Sequence, residues 1–527
     1  MNTSNEKSRQ ESLKVLTYNR AWLTVMVTIL SSFLQASMSY SLSFLQVSDT
    51  SRLLHQVMVI VVIYFLFAIS LYLRLTLQNS LIVEVDRRLK QNIDSWVVLK
   101  TYEDYHQKDY SDYVSLYIND VEKITELIVK RYLSIIEKLS LAFFVLVMLF
   151  KIHYSMVLLA LLSLIVMYLV PKYFQGRLSQ YSVEESQIKS VYLSKIREYF
   201  GGFDTFYENR ASALLIHKLR KETAHKSKFQ EAKGSFEALV SGSLTFINSL
   251  TTILALALVS YFVIQGQIEG GSYLAVMSLL PNFGASVLQL FSEKAFYQSG
   301  QELFKERLGG IMESHWIPEV TRSLENQDEI IAITLANISI EYGQKRLVFP
   351  QQISFEAEKT YHLIGGNGSG KSSLLRVLVG EKGTFDGQIL VNGKPCKQDL
   401  LEKIAYVNQT AFIFNDTVRE NIDLFHEYED QELLAIMAVL DLPLPLDQRL
   451  EDNGRNISGG QRQKIALARA LLRKKSILIL DEAMSNMDAS SAERIYHYLL
   501  NTIETVIIVD HNLPTSVHEW IDERIFV

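Results

Sequence analysis

The sequence predicts two parts of unlike physics: an α-helical half with six membrane-spanning helices that extend into water, then a soluble α/β domain. Three observations carry this reading. The 527 residues exceed what one ordinary domain uses. The apolar residues, 48% of the chain at a mean hydropathy of +0.10, concentrate between Ala21 and Phe296 in stretches long enough to cross a bilayer. After Phe296 a polar stretch leads into a strand-like run, Ile330–Ile340, that opens the soluble part.

A hydrocarbon core of about 30 Å needs roughly 20 helical residues. Ala21–Phe44, Leu54–Leu77, Leu244–Ile264 and Ser272–Phe291 meet that length. Two shorter runs, Leu139–Phe150 and Met156–Val170, are separated only by KIHYS and read as a helical hairpin extending past the membrane, with Tyr132 and Lys172 near its inner surface. The spans are placed at about 21–44, 54–77, 132–150, 155–172, 240–264 and 271–296. This gives an N-terminal segment 1–20, a transmembrane domain 21–300, a linker 301–328 and a second domain 329–527. Residues 1–20 are polar and the apolar run after them is too long for a signal peptide, so no cleavable leader is expected.

The three short loops carry only Arg52 and Lys151, whereas the long ones, 78–131 and 172–238, are rich in Lys and Arg. The positive-inside rule puts the long loops and both termini in the cytoplasm. Each long loop lacks Pro, and 78–131 also lacks Gly, so each should continue the membrane helices and hinge near Glu103–Asp112 and Phe200–Asn209. Three polar stripes keep helical spacing: Ser31, Gln35 and Ser39; Ser241, Thr245, Asn248 and Thr252; Asn282, Ser286, Gln289 and Glu293. Such groups are costly against lipid, so they should face the bundle interior, either lining a polar cavity or hydrogen-bonding between helices. Pro281 and Gly284 mark either a kink or a tolerated break.

The net charge of −6 gives no reason to expect a nucleic-acid partner. A single cysteine, Cys396, excludes a disulfide within the chain and a multi-cysteine metal site.

Gly365–Ser373, GGNGSGKSS, fits G-x-x-x-x-G-K-[ST], with Tyr361–Ile364 as the strand before it and Ser373–Val379 as the helix after it. Gly365, Asn367, Gly368, Ser369, Gly370 and Ser373 would close backbone N–H groups around phosphate oxygens at a helix N-terminus. Lys371 would bridge the β- and γ-phosphates and Ser372 would hold Mg²⁺. Ser476–Glu482, SILILDE, is a continuous apolar run suited to a strand buried on both faces. Asp481 then stands at its carboxyl end, within reach of that Mg²⁺, and Glu482 follows as the group to orient or deprotonate the attacking water.

Ile457–Gln461, ISGGQ, followed by RQKIALARALL, resembles the signature motif of the ABC (ATP-binding cassette) transporter family, usually LSGGQ. Further landmarks follow the family's order. Tyr342 in ISIEYG resembles the aromatic residue stacked on adenine, and Gln409 in YVNQ the glutamine that senses the γ-phosphate and adjoins Mg²⁺. Ser485–Asp488, SNMD, resembles the D-loop, and His511 in IIVDHN the switch histidine on the γ-phosphate. Ser458, Gly459, Gly460 and Gln461 open a helix able to bind phosphate. The resemblance implies that they face the ATP of a second cassette.

The six spans, the long extensions and the C-terminal cassette also look like the family's exporter architecture. YSDYVSLYINDVEKI, with Asp120, resembles the region after its first coupling helix, and GGFDTFYEN the second coupling helix. The resemblance implies an α/β P-loop NTPase cassette with a helical subdomain, and ATP and Mg²⁺ as cofactors. It also implies a multi-pass half-transporter of the cytoplasmic membrane, in contact with lipid, that pairs with a second half-transporter. The expected activity is ATP-driven export. The polar faces suggest an amphipathic peptide as cargo, with a lipid or drug next, then uptake of a metal chelate. A non-pumping ATP-gated channel or sensor is the rival from another class, and a heterodimer the rival to a homodimer.

The chain departs from the family at Ile457, at Asn512 after the switch histidine, and at EDNG (Glu451–Gly454) before the signature. Family members usually continue with another strand and helices where this sequence runs only a short way past His511, so a compact cassette is expected. Glu482 is retained, which predicts true hydrolysis.

Overall fold

The computed structural model describes residues 19–45, 50–313, 330–342, 345–349, 352–366, 368–381, 385–396, 400–424 and 427–527. Most of segment 1–20 and the linker from residue 314 onward lie outside them. The chain divides into two compact units: Met1–Trp96 with Tyr110–His315, and Val97–Asp109 with Trp316–Val527.

The first unit is helical. Among the described residues, six helices are long and apolar enough to cross a membrane: Arg20–Phe44, Arg52–Val98, Tyr110–Ile152, Tyr154–Phe174, Ser212–Ile264 and Ser272–Met312. The breaker-poor loops do continue them, so that Thr50–Val98, Tyr154–Gly201 and Ser212–Ile264 are single helices of 49, 48 and 53 residues. The expected hinges are one-turn helices, Tyr102–His106 and Phe203–Glu208. The first starts where the Thr101 side chain accepts a hydrogen bond from the Asp104 N–H, a standard N-cap. The last long helix, Ser272–Glu313, runs unbroken through Pro281 and into residues expected to be linker from 301. Leu308 and Ile311 are buried there at helical spacing, and Arg307 bonds Asp120 at 2.7 Å, which holds the extension as helix.

The core of this unit holds Val145, Leu149, Met156, Ala160, Ala255, Val259, Ala275 and Leu279. Of the polar stripes, Ser39 and Asn282 take the helix-joining role, together with serines outside the stripes. Ser278 donates to Ser39 at 2.9 Å, Asn282 to Ser39 at 3.2 Å and Ser140 to Ser32 at 2.9 Å, so these groups join helices. Ser286 is buried and bonds its own helix at the Asn282 carbonyl. Ser241 and Thr245 are exposed. Gly284 has a reason other than a kink: a Cβ there would collide with the Asn248 side chain. Ion pairs also cross between helices, Arg74 to Glu137 at 2.8 Å and Arg131 to Glu293 at 3.3 Å.

The second unit carries two sheets. Strands β1 (Ala332–Tyr342), β2 (Lys345–Phe349), β3 (Ile353–Glu356), β5 (Phe385–Val391) and β6 (Lys394–Cys396) form an antiparallel sheet ordered β2-β1-β5-β6, with β3 paired to β1. The other sheet is parallel, ordered β10-β4-β9-β8-β7, from β4 (Thr360–Ile364), β7 (Ile404–Val407), β8 (Ile477–Asp481), β9 (Thr505–Val509) and β10 (Glu523–Phe526). A strand therefore does follow His511. All five residues of β8 and of β9 are buried, and each large aliphatic side chain so covered contributes about 1.5–3 kcal/mol. A helical part packs beside this sheet, with Val418, Ile422, Leu433, Met437, Leu440 and Ile465 in one cluster with Leu478 and Leu480.

Parallel pairing brings the carboxyl ends of β4, β7, β8 and β9 to one edge. There the sequence places the glycine loop, Gln409, Asp481–Glu482 and His511.

Candidate functional site

The loop after β4 is built for close approach. Gly368 and Gly370 have φ of 80° and 102°, and a Cβ on Gly370 would lie 2.8 Å from the Phe349 ring. A Cβ on Gly365 would lie 2.6 Å from Ser369 Oγ, which is itself buried without a hydrogen-bond partner. The helix Lys371–Leu378 begins at once. Its first N–H groups and the turned loop form an anion-binding concavity. Lys371 folds back over this loop and donates to the carbonyls of Gly365 at 2.8 Å and Gly366 at 3.2 Å. A phosphate in the loop would compete for that ammonium. Ser373 follows in the first helical turn, and Asn367 lies outside the described residues.

Beside the loop, Ser372 Oγ donates to Asp481 Oδ1 at 2.9 Å, and Tyr406 donates to Asp481 Oδ2 at the same distance. Hard oxygen donors of this kind suit Mg²⁺. Among the described residues no group of three or more His, Cys, Asp or Glu could hold a metal ion. Two protein oxygens with the rest from phosphate and water is the ordinary arrangement for Mg²⁺, so the residues present fit that cation bound with a nucleotide.

Glu482 follows with φ of 51°, a conformation unusual for a residue with a side chain. Its N–H is held by the Val509 carbonyl at 2.8 Å. The turned backbone aims the carboxylate at two residues from other strand ends: Gln409 Nε2 donates to Oε2 at 2.6 Å, and His511 Nε2 lies 3.7 Å from Oε1. With its amide nitrogen on Glu482, Gln409 keeps its carbonyl oxygen for a cation. The structure thus brings together Gln409, Glu482 and His511 as one cluster, and Ser372 and Asp481 as another beside it.

The signature residues form a separate group. Ser458 caps the helix Gly459–Leu472 in a full capping box: its hydroxyl accepts from the Gln461 N–H at 3.2 Å, and the Gln461 side chain accepts from the Ser458 N–H at 2.8 Å. A Cβ on Gly459 or Gly460 would press on Asn486 of the D-loop, at 3.3 and 3.0 Å. Tyr342 ends β1, and its backbone alone is described.

Several supports were not read from the sequence. Gln463, buried, donates to Ser485 Oγ and accepts from the Asn486 N–H, both at 3.0 Å, which pins the D-loop to the signature helix. Its place two residues beyond ISGGQ was the available signal. Tyr496 donates to Asp510 at 2.7 Å and so fixes the turn that carries His511; burial pushes the Tyr496 hydroxyl well above its ordinary range, keeping it a donor. Asp488 is held below the usual carboxylate range by hydrogen bonds from Ser490 and Ser491. Nothing in the sequence pattern marked Tyr406 or Tyr496.

A groove of about 270 Å³ lies near Gln409, lined by Asn408, Thr410, Phe412, Leu424, Arg469 and Arg473 among others. Burial lowers the Arg469 pKa to about 10. Its guanidinium donates to Asn421 Oδ1 at 2.8 Å and to the Phe412 carbonyl at 2.6 Å.

Comparison with known proteins places both parts of the chain in one family. Residues 16–287 match the family described as ABC transporter transmembrane region, and residues 350–485 match the family described as ABC transporter. A protein of Rickettsia prowazekii, whose assigned name is that of an export ATP-binding/permease protein, is 24% identical over 468 residues, 84% of this chain and 78% of its own. An ATP-dependent lipid A-core flippase of Photobacterium profundum is 28% identical over 302 residues, 53% of this chain and 51% of its own. A lactococcin-G-processing and transport ATP-binding protein of Lactococcus lactis subsp. lactis is 30% identical over 302 residues, 53% of this chain and 42% of its own.

Proposed function

The chain belongs to the ABC transporter family, and from that premise we propose that two copies of it form an exporter of the cytoplasmic membrane in which the clusters described above hydrolyse ATP. The family assignment itself carries ATP-coupled, exporter-type transport by a multi-pass membrane protein that pairs with another half-transporter. The residue roles, the cation, the choice of partner and the cargo are the proposal.

The observation that carries the residue roles is the convergence of Gln409, Glu482 and His511 next to Ser372 and Asp481. Glu482 orients the attacking water and draws its proton, a role worth roughly 10²–10⁴ in rate. His511 and Gln409 hold that carboxylate and contact the γ-phosphate. Lys371 leaves its loop carbonyls to neutralise the phosphates, which the glycine loop cradles by backbone N–H groups. When bound, Mg²⁺ neutralises charge on the phosphate oxygens; Ser372 and Asp481 would hold it, with Gln409 adjoining. Tyr342 stacks on the adenine.

The capping box presents Ser458 and the N–H groups of Gly459 and Gly460 at a helix N-terminus, a site that suits the γ-phosphate of a second copy's nucleotide. Retention of Glu482 and of the signature favours a homodimer.

For cargo, the polar faces and the relative named for lactococcin transport favour an amphipathic peptide. The relative named as a lipid A-core flippase, and the use of Ser39, Ser278 and Asn282 in joining helices, support a lipid as the second reading. Inside-out vesicles carrying the wild type are expected to accumulate a labelled amphipathic peptide in the presence of ATP. Vesicles carrying Glu482→Gln are expected to bind ATP, hydrolyse it about 10²–10⁴-fold more slowly and accumulate nothing. Near-normal turnover in the variant would remove Glu482 from its role. Movement of a labelled lipid but not the peptide would establish the second reading.

A further inference from the structure

Asp481 is gripped from a side that the roles above leave unused. Ser372 bonds its Oδ1 and Tyr406 its Oδ2, each at 2.9 Å, so both carboxylate oxygens have a donor.

We propose that Tyr406 is a positioning residue for Asp481, holding the carboxylate so that it presents its oxygens to the nucleotide's divalent cation. The inference rests on the reading of Asp481 as a cation ligand. The physical reason is rotation: a carboxylate with a donor on each oxygen is fixed in its plane, and removing one donor frees it to turn away from the cation. Groups that orient a metal ligand typically change metal affinity about 10–100-fold when removed.

The test uses the full chain in lipid nanodiscs, with Mn²⁺ as the probe and a non-hydrolysable ATP analogue, and reads bound Mn²⁺ by electron paramagnetic resonance. Tyr406→Phe is expected to raise the half-saturating Mn²⁺ concentration about tenfold. Affinity for the ATP analogue without Mn²⁺ is expected to match the wild type in Tyr406→Phe, which separates an effect at Asp481 from loss of the fold. Loss of Mn²⁺ binding in Asp481→Asn beside wild-type binding in Tyr406→Phe would overturn the positioning role alone. Wild-type binding in both would overturn the cation reading beneath it.

Discussion

Glu482 sits in the left-handed region at φ 51°, where a side chain costs of order 1–3 kcal/mol. The cost is held in place by the Val509 carbonyl on one side and by Gln409 and His511 on the other. A strained residue at the end of a buried strand is what aims a carboxylate out of the sheet toward a substrate. A second residue, His362, reports on the same edge. Its Nε2 bonds the carbonyl of Asp510, its Nδ1 is buried with no partner, and burial depresses its pKa, with His518 and Arg524 adding in the same direction. Below pH 6.5 the unfolded chain therefore takes up a proton that the native protein resists. Native stability is full above that pH, falls as the pH drops below it, and the loss is complete once the folded group also protonates. The melting temperature of the detergent-solubilised protein should fall more between pH 7 and pH 5.5 in the wild type than in His362→Gln. Equal falls in both would show that His362 does not contribute to the slope.

Among the elements, one close helix contact has a single-residue cause. Asn248 of Ser212–Ile264 fills the space above Gly284 of Ser272–Glu313, and a methyl group at Gly284 has nowhere to go. Gly284→Ala should destabilise the membrane unit by about 1–3 kcal/mol, as overpacking does. Adding Asn248→Ala should recover most of it, by thermal unfolding in detergent. Recovery would separate close packing from a kink at Pro281, because the second substitution leaves the proline untouched. The D-loop shows the same economy in polar form: Gln463 alone supplies a donor to Ser485 and an acceptor to Asn486.

For the whole molecule, the separation of the signature group from the Gln409–Glu482–His511 cluster predicts that each active site is shared between two copies. Lys371→Ala removes the phosphate-loop half of both sites in a homodimer, and Ser458→Arg blocks the signature half of both. Each variant alone should be inactive. Co-purified mixed dimers should regain about half of the activity of one wild-type dimer if the two sites act independently, since one site then combines a normal phosphate loop with a normal signature. ATPase assays on dimers isolated with two different affinity tags would decide it. Mixed dimers as inactive as the parents would refute sharing by two copies of this chain.

What the sequence by itself determined is the part written in local pattern. Apolar runs of bilayer length gave six helices, and the absence of Pro and Gly between them predicted that the helices continue. The glycine loop, SILILDE and ISGGQ each carry their chemistry within a few consecutive residues, so Lys371, Ser372, Asp481, Glu482 and Ser458 could be named without a fold. Gln409 and His511 were legible only through resemblance to a family, because an isolated glutamine or histidine has no local signature. The tertiary structure decided the rest. Parallel pairing of β4, β7, β8 and β9 is what brings residues more than a hundred positions apart to one edge, and no local pattern encodes which strands are neighbours. The same holds for Tyr406 on Asp481, Gln463 on the D-loop and Asn248 over Gly284. Each is a contact between elements, fixed by hydrogen-bond geometry and excluded volume and therefore decided only when the chain has packed.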